Sequence, residues 1–232
     1  MKTICIIPAR YASTRFPGKV LTMIDGNTML QRVYDRAKVA IEDVVIATDN
    51  DEYYELIPEI TKFTKKYVLG GYHFCGTNRC AEAVDIIEGI YKDKQYDIVI
   101  NLQADMPYIK PEQIIQLISV FVFDPMIDIA TLIVKVTGYG YDSNDVKVVI
   151  DKTNEALYFS RSSIPFDNMI QNKHIGIYAF RRSILKHIAS LPNDAIEGLE
   201  QNAWLYHGWK IKCVETPFDV ISINVPEDLK KL

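Results

Sequence analysis

Arg10, Ser13, Arg15 and Lys19 follow directly on an apolar run over residues 4–7. Three fixed positive charges in so short a segment repel one another and need an anion as counterweight. A nucleoside triphosphate supplies several negative charges in one place. Each cation–phosphate contact at about 4 Å is worth roughly 4 kcal/mol before desolvation. Arginine adds a planar fork for phosphate oxygens, and lysine acts as a point charge. A solvated basic loop is the competing reading, but the end of a strand in an α/β pattern is where ligands gather. Asp105 ends a second apolar run, over 98–102. A carboxylate facing a triphosphate repels it unless a divalent cation lies between. Mg²⁺ uses one or two carboxylates together with phosphate oxygens and water. The other reading of Asp105 is a loop carboxylate that caps the helix starting at Pro111.

The elements that must hold these groups read as alternating strands and helices. Asn27 or Thr28 can cap a helix with Met29, Leu30, Val33, Tyr34 and Ala37 on one face. A buried strand is predicted over 43–48, a short helix over 51–57 failing near Pro58, and a weak strand over 67–69. A helix over 77–91 and a strand over 97–102 follow. Pro111 then suits the first turn of a helix with apolar positions Ile114, Ile115, Ile118, Phe121 and Val122. This βαβα order implies a parallel sheet with helices on both faces. From about residue 128 strands dominate, over 127–136, 146–150, 156–160 and 175–180. Two short helices, a strand over 210–214 and a helix starting at Pro226 complete the chain. A chain of 232 residues without linker or repeat reads as one domain.

Bulk properties narrow the function classes. Hydrophobic residues make up 48% and charged residues 24%, an ordinary globular balance. The net charge of −4 argues against a nucleic-acid partner. The apolar stretches are too short to span a membrane, and no signal peptide is visible, so a cytoplasmic location is expected. Reduced thiols are then expected for Cys5, Cys75, Cys80 and Cys213. His73, Cys75 and Cys80 fit no common zinc spacing. A Walker loop is missing, and Gly138-Tyr-Gly140 lacks the third glycine of a dinucleotide fingerprint.

The segment Ile-Pro-Ala-Arg-x-x-Ser-x-Arg-x-Pro-Gly-Lys-x-Leu, from Ile7 to Leu21, resembles the opening signature of the sugar-acid cytidylyltransferases. The likeness is greatest to the 3-deoxy-manno-octulosonate cytidylyltransferase (CMP-Kdo synthetase) family and returns at intervals along nearly the whole chain. Gln103-Ala-Asp-Met-Pro107 is similar to that family's Gln-Gly-Asp-Glu-Pro, and His73-Phe-Cys-Gly-Thr-Asn-Arg79 to its His-x-Ser-Gly-Thr-Glu-Arg. Ala156-Leu-Tyr-Phe-Ser-Arg161, His174-Ile-Gly-Ile-Tyr178 and Leu199-Glu-Gln201 match further family segments. The resemblance implies a three-layer, Rossmann-like nucleotide-diphospho-sugar transferase fold, mostly parallel, with a strand-rich second half. It implies a nucleotide-binding half over 1–125 and a half over 126–232 that supplies the sugar site and the contacts of a homodimer.

The implied reaction joins CTP to a 2-keto-3-deoxy sugar acid. Arg10, Arg15 and Lys19 would hold phosphates, with Ser13, Cys75, Gly76, Thr77, Arg79 and Gln103 around the nucleotide. Asp105 and Asn224 would hold Mg²⁺. Arg161 would grip the sugar carboxylate, and His174, Tyr178, Glu200 and Gln201 would meet its hydroxyls. Each of these residues also has a structural reading: a helix cap at Gly76-Thr77, a core histidine, a half-buried tyrosine, a surface glutamate.

The chain departs from the family at Ala104, Met106, Cys75 and Asn78, and at Asn224 where the family has aspartate; Asp219 and Glu227 are candidates to compensate for Asn224. Only residues 168–173 stand where the family has a longer insertion beside the sugar site. The substrate alternatives are an amino-Kdo or a nonulosonic acid, and the non-enzymatic alternative is a nucleotide- or sugar-binding relative without turnover.

Overall fold

The computed structural model describes residues 1–11, 15–49, 56–73, 75–137, 144–166, 170–192, 194 and 196–232. The nucleotide half runs β1 (Thr3–Pro8), the two-residue strands β2 (Met23–Ile24) and β3 (Asn27–Thr28), α1 (Met29–Ala40), β4 (Asp43–Asp49), α2 (Leu56–Thr61), β5 (Tyr67–Gly70), α3 (Gly76–Ile90), β6 (Ile98–Leu102) and α4 (Pro111–Phe123). The second half adds β7 (Ile129–Thr137), β8 (Lys147–Ile150), β9 (Ala156–Ser160), β10 (Ile170–Arg181), α5 (Arg182–Ala189), α6 (Glu200–Tyr206) and β11 (Ile211–Glu215).

One sheet crosses the molecule in the order β11-β7-β10-β6-β1-β4-β5. Strands β6, β1, β4 and β5 are parallel. β10 enters antiparallel between β6 and β7, so the two sequence halves share a single sheet. The alternation of β1 shows how the layers arise. Cys5 and Ile7 face a core built with Leu30 and Val33 of α1 and Ile114, Leu117 and Phe121 of α4. Ile4 and Ile6 face the opposite core, with Ala83 and Val84 of α3, Leu185 of α5 and Trp204 of α6. Side chains alternate in a strand, so a fully apolar strand is buried on both faces.

The chain leaves β1 toward β4 on one side and returns by α3 to β6 on the other. That reversal opens a crevice at the carboxyl ends of β1 and β6, where the loops carrying Arg10 and Asp105 begin.

Several expectations need correction. The short helix does not fail at Pro58: its described span, Leu56–Thr61, runs past it. Pro58 falls in the first turn of that span, where a backbone N–H has no helical acceptor to lose. On α4, Ile115 and Val122 are exposed, at 52% and 66%, and buried Gln113 takes a place on the inner face. Its Nε2 donates to the Phe218 carbonyl at 2.9 Å, which satisfies the buried amide. The segment after Pro226 is a 3₁₀ turn over Pro226–Lys231. β10 is far longer than the expected six residues, because β7 pairs along both of its halves, β8 with the first and β6 with the second. The beginning of the 51–57 helix, Gly138-Tyr-Gly140 and Asn168 lie outside the described residues.

Candidate functional site

The loop after β1 turns back at Gly18, whose φ of 67° is a left-handed conformation that glycine adopts without strain. The turn delivers Lys19 across the crevice. Its Nζ lies 2.7 Å from Asp105 Oδ2 and 3.3 Å from the Ile223 carbonyl. Arg15 donates to Asn224 Oδ1 at 3.2 Å. Three segments distant in sequence therefore meet: the loops after β1 and β6, and the stretch before the last 3₁₀ turn. Arg10, Arg15, Lys19, Cys75, Gly76, Arg79, Gln103, Asp105 and Asn224 line one pocket of about 280 Å³. Ser13 lies outside the described residues.

Arg79 is only 4% exposed and is ion-paired with Asp49 at the end of β4. Its Nη1 has no hydrogen-bond partner among the described residues. This buried guanidinium therefore keeps one donor without a partner among the described residues, on the wall of the pocket that Arg10, Arg15 and Lys19 also line. His73, which also lines this pocket, pairs with Glu82 at 2.8 Å, and the Glu82 carboxyl stays below its usual range.

Gly76 opens α3 beside the Gln103 side chain. A Cβ on Gly76 would sit 2.9 Å from Gln103 Nε2 and 3.3 Å from Asn101 Nδ2. Glycine is needed there because the helix end and the amide chain touch. Gln103 donates to Asn101 Oδ1 at 2.9 Å, and Asn101 donates to Thr77 Oγ1 at 3.3 Å. This relay fixes the side chain that divides the pocket from what lies beyond it.

Beyond Gln103 a second cavity, of about 300 Å³, is lined by Arg161, His174, Tyr178, Glu200 and Gln201, with Cys75 and Gly76 on the shared wall. A third, of about 170 Å³, joins Arg161, Lys173 and His174 to Asp105 and Asn224. The three cavities thus meet at Gln103. Burial sets the charge of the groups around the second cavity. It pushes the Tyr178 phenol well above its ordinary range and raises the Glu200 carboxyl. Burial also lifts the Cys75 thiol to about 12. His174 is held down to about 3, again by burial. Glu200 bonds to Cys75 and Thr77, yet its Oε2 is closed off from solvent without a partner among the described residues.

Met106, a departure from the resembled pattern, packs in the apolar core and does not line the pocket. Asp219 pairs with Lys173 at 3.0 Å and lines none of these cavities, nor does Glu227. Sequence reasoning missed Asn101, Lys173 and Glu197. Glu197 stands at a left-handed φ of 58° and accepts from Ser160 Oγ, Tyr158 OH and the Arg161 N–H, which sets the strand end carrying Arg161. Local sequence does not mark Lys173 or Glu197, because their partners are remote, and Asn101 has one remote partner, Thr77, beside the nearby Gln103.

Comparison with known proteins adds the following. A family model described as cytidylyltransferase matches residues 4–211. The 3-deoxy-manno-octulosonate cytidylyltransferase of Parabacteroides distasonis is 41% identical, with 100% of this chain and 96% of that protein covered. The 8-amino-3,8-dideoxy-manno-octulosonate cytidylyltransferase of Shewanella pealeana is also 41% identical, over 99% of this chain and 96% of that one. A solved structure of CMP:2-keto-3-deoxy-manno-octonic acid synthetase complexed with CTP superposes with a TM-score of 0.86 at 33% identity, covering 100% of this chain and 96% of that one.

The depressed His174 titration has a signed consequence for stability. The folded protein keeps the ring neutral down to about pH 3, whereas the unfolded chain takes up a proton near pH 6.5. The contribution is complete above about pH 6.5 and is lost as pH falls toward 3. Between pH 7 and pH 5 wild type should lose about 2 kcal/mol more unfolding free energy than His174→Gln, from one proton at roughly 1.4 kcal/mol per pH unit. Urea unfolding at the two pH values measures this. Equal losses in both proteins would mean that the ring is protonated in the fold.

Proposed function

Since the chain belongs to the cytidylyltransferase family, we propose that it transfers CMP from CTP to a 2-keto-3-deoxy sugar acid, releasing pyrophosphate. The observation that carries this reading is the joining of two unlike cavities at Gln103, one lined by Arg10, Arg15, Lys19 and Asp105, the other by Arg161 and neutral polar groups. The sugar's anomeric hydroxyl attacks the α-phosphorus. A sugar-oxygen–phosphorus bond forms, and the bond from that phosphorus to the pyrophosphate oxygen breaks. The hydroxyl proton leaves to solvent.

Arg10, Arg15 and Lys19 hold the triphosphate and stabilise the charge on the departing pyrophosphate, so catalysis is positioning and charge neutralisation. Arg161 receives the sugar carboxylate by a bidentate contact that lysine cannot reproduce. The Asp105 carboxylate and the Asn224 amide oxygen line the same pocket, which fits Mg²⁺ with phosphate oxygens and water filling its remaining positions. Bound there, Mg²⁺ would neutralise phosphate charge and lower the pKa of the attacking hydroxyl. An 8-amino octulosonate is the second reading, because the relative named for it is as similar as the relative named for the parent acid.

Pyrophosphate release from CTP, measured with a panel of octulosonic, 8-amino-octulosonic and nonulosonic acids, tests the assignment. Release with an octulosonic acid supports it; CTP binding with no release for any acid makes the chain a binding protein.

Asn224→Asp adds a carboxylate beside Asp105. The Mg²⁺ concentration for half-maximal release should fall roughly 5–30-fold, about 1–2 kcal/mol at a partly exposed site. An unchanged Mg²⁺ curve would place Asn224 away from the metal.

The reading extends to a homodimer. Among the described residues β9 pairs only with β8, and Leu157, Phe166, Ile170 and Ile196 around it are 50–94% exposed. Asn202 already takes the Phe159 N–H and carbonyl on this side of β9, so a second copy would cover the exposed apolar side chains rather than extend the sheet. Sedimentation velocity should give a dimer that Leu157→Lys weakens; a wild-type monomer at micromolar concentration contradicts this.

A further inference from the structure

The ladder between β10 and β7 is broken in its middle. Pairing runs from Ile170 to Ile175, then resumes at Tyr178, which faces Thr131. Gly176 and Ile177 therefore have no partner in that ladder. Thr131 sits at the break, fully buried. Its Oγ1 lies 2.7 Å from the Ile177 carbonyl, 3.3 Å from the Ile175 carbonyl and 2.9 Å from His174 Nε2.

A hydroxyl has one proton to give and two lone pairs. Oxygens 2.7 Å apart need a proton between them, and a carbonyl has none. The Thr131 proton therefore goes to the Ile177 carbonyl. The contact with His174 is then Nε2–H donating to Thr131 Oγ1. Burial keeps the ring neutral at physiological pH, so a proton on Nε2 leaves Nδ1 bare. No hydrogen bond reaches Nδ1 among the described residues. The imidazole is held by Phe159 and Tyr178, with ring centroids at 5.1 and 5.3 Å, and it borders both sugar-side cavities.

We infer that Thr131 is a positioning residue for sugar recognition: it locks His174 in the Nε2–H tautomer, so that the ring meets a hydroxyl donor of the ligand and never its carboxylate. The inference rests on the sugar-acid reading of the adjoining cavities. It divides the sugar acid between two kinds of group. A bare nitrogen repels a carboxylate and accepts from a hydroxyl, so the carboxylate goes to Arg161, which lines the same cavity, while Lys173 there is already paired with Asp145 and Asp219. No contact from Thr131 to the ligand is needed. The same hydroxyl closes the break in the ladder, so the bulge that puts Gly176 on the cavity wall and the tautomer that reads the ligand have one cause.

The test compares wild type, Thr131→Ser and Thr131→Val. Two-bond ¹H–¹⁵N correlation spectra of the ligand-free protein report the His174 tautomer directly. Wild type and Thr131→Ser should show protonated Nε2 and bare Nδ1; a protonated Nδ1 in wild type overturns the inference, whether or not Thr131→Val folds. In turnover, Thr131→Val should raise KM for the sugar acid about tenfold, the scale of one misdirected hydrogen bond, leave KM for CTP within twofold, and be rescued by Thr131→Ser. If both KM values rise together, or neither moves, Thr131 is merely structural. If no sugar acid is turned over by any of the three proteins, the functional reading fails while the spectra still decide the tautomer.

Discussion

The Lys19–Asp105 ion pair is the contact on which the site depends. It joins the loop after β1 to the loop after β6, and Lys19 also reaches the Ile223 carbonyl. Both side chains are less than one-fifth exposed, so the pair is partly desolvated and is screened less than a surface bridge. Without the lysine, Asp105 would lose its described ion pair, and without the carboxylate Lys19 would stand beside Arg10, Arg15 and Arg79 with no described counter-ion. The pair thus ties together the two loops that line the charged pocket.

The two ends of the cleft are built on opposite electrostatic plans. At the nucleotide end the charges are permanent: guanidinium groups, one ammonium and one carboxylate. Around the second cavity burial disfavours charge on Tyr178, His174 and Glu200. Tyr178 stays a phenol, His174 a neutral ring, and Glu200 is pushed toward its acid form. Neutral donors and acceptors suit a polyhydroxylated ligand, because they bind hydroxyls without paying for a stranded ion. Cations stand on the flank, where Arg161 and Lys173 line the third cavity and Lys173 is paired with Asp145 and Asp219.

Much of this was legible in the sequence because it is local. The apolar runs behind β1, β4 and β6 identify buried parallel strands, and the residues after β1 and β6 announce the charged crevice. The resembled motifs placed Arg161, His174, Tyr178, Glu200 and Gln201 together before any contact was known. What escaped was what tertiary neighbours decide. Ile115 and Val122 look like core on periodicity, yet Gln113 is inside because Phe218 offers a carbonyl. Asn101 is a lone polar residue in an apolar strand, and Thr77, to which it donates, becomes its neighbour only in the fold. Thr131 lies amid an apolar strand, and a break in the ladder of another strand gives it its role.

Arg15→Ala tests the central claim, that the cations of this crevice serve the chemistry rather than the fold. Arg15 is exposed and its one described hydrogen bond runs to Asn224, so the fold should not need it. With CTP and the accepted sugar acid, kcat/KM should fall by about 2–4 kcal/mol in transition-state terms, roughly 30- to 1,000-fold, while the melting temperature stays within a degree or two. Normal turnover in the variant, or loss of activity through unfolding alone, would contradict the account.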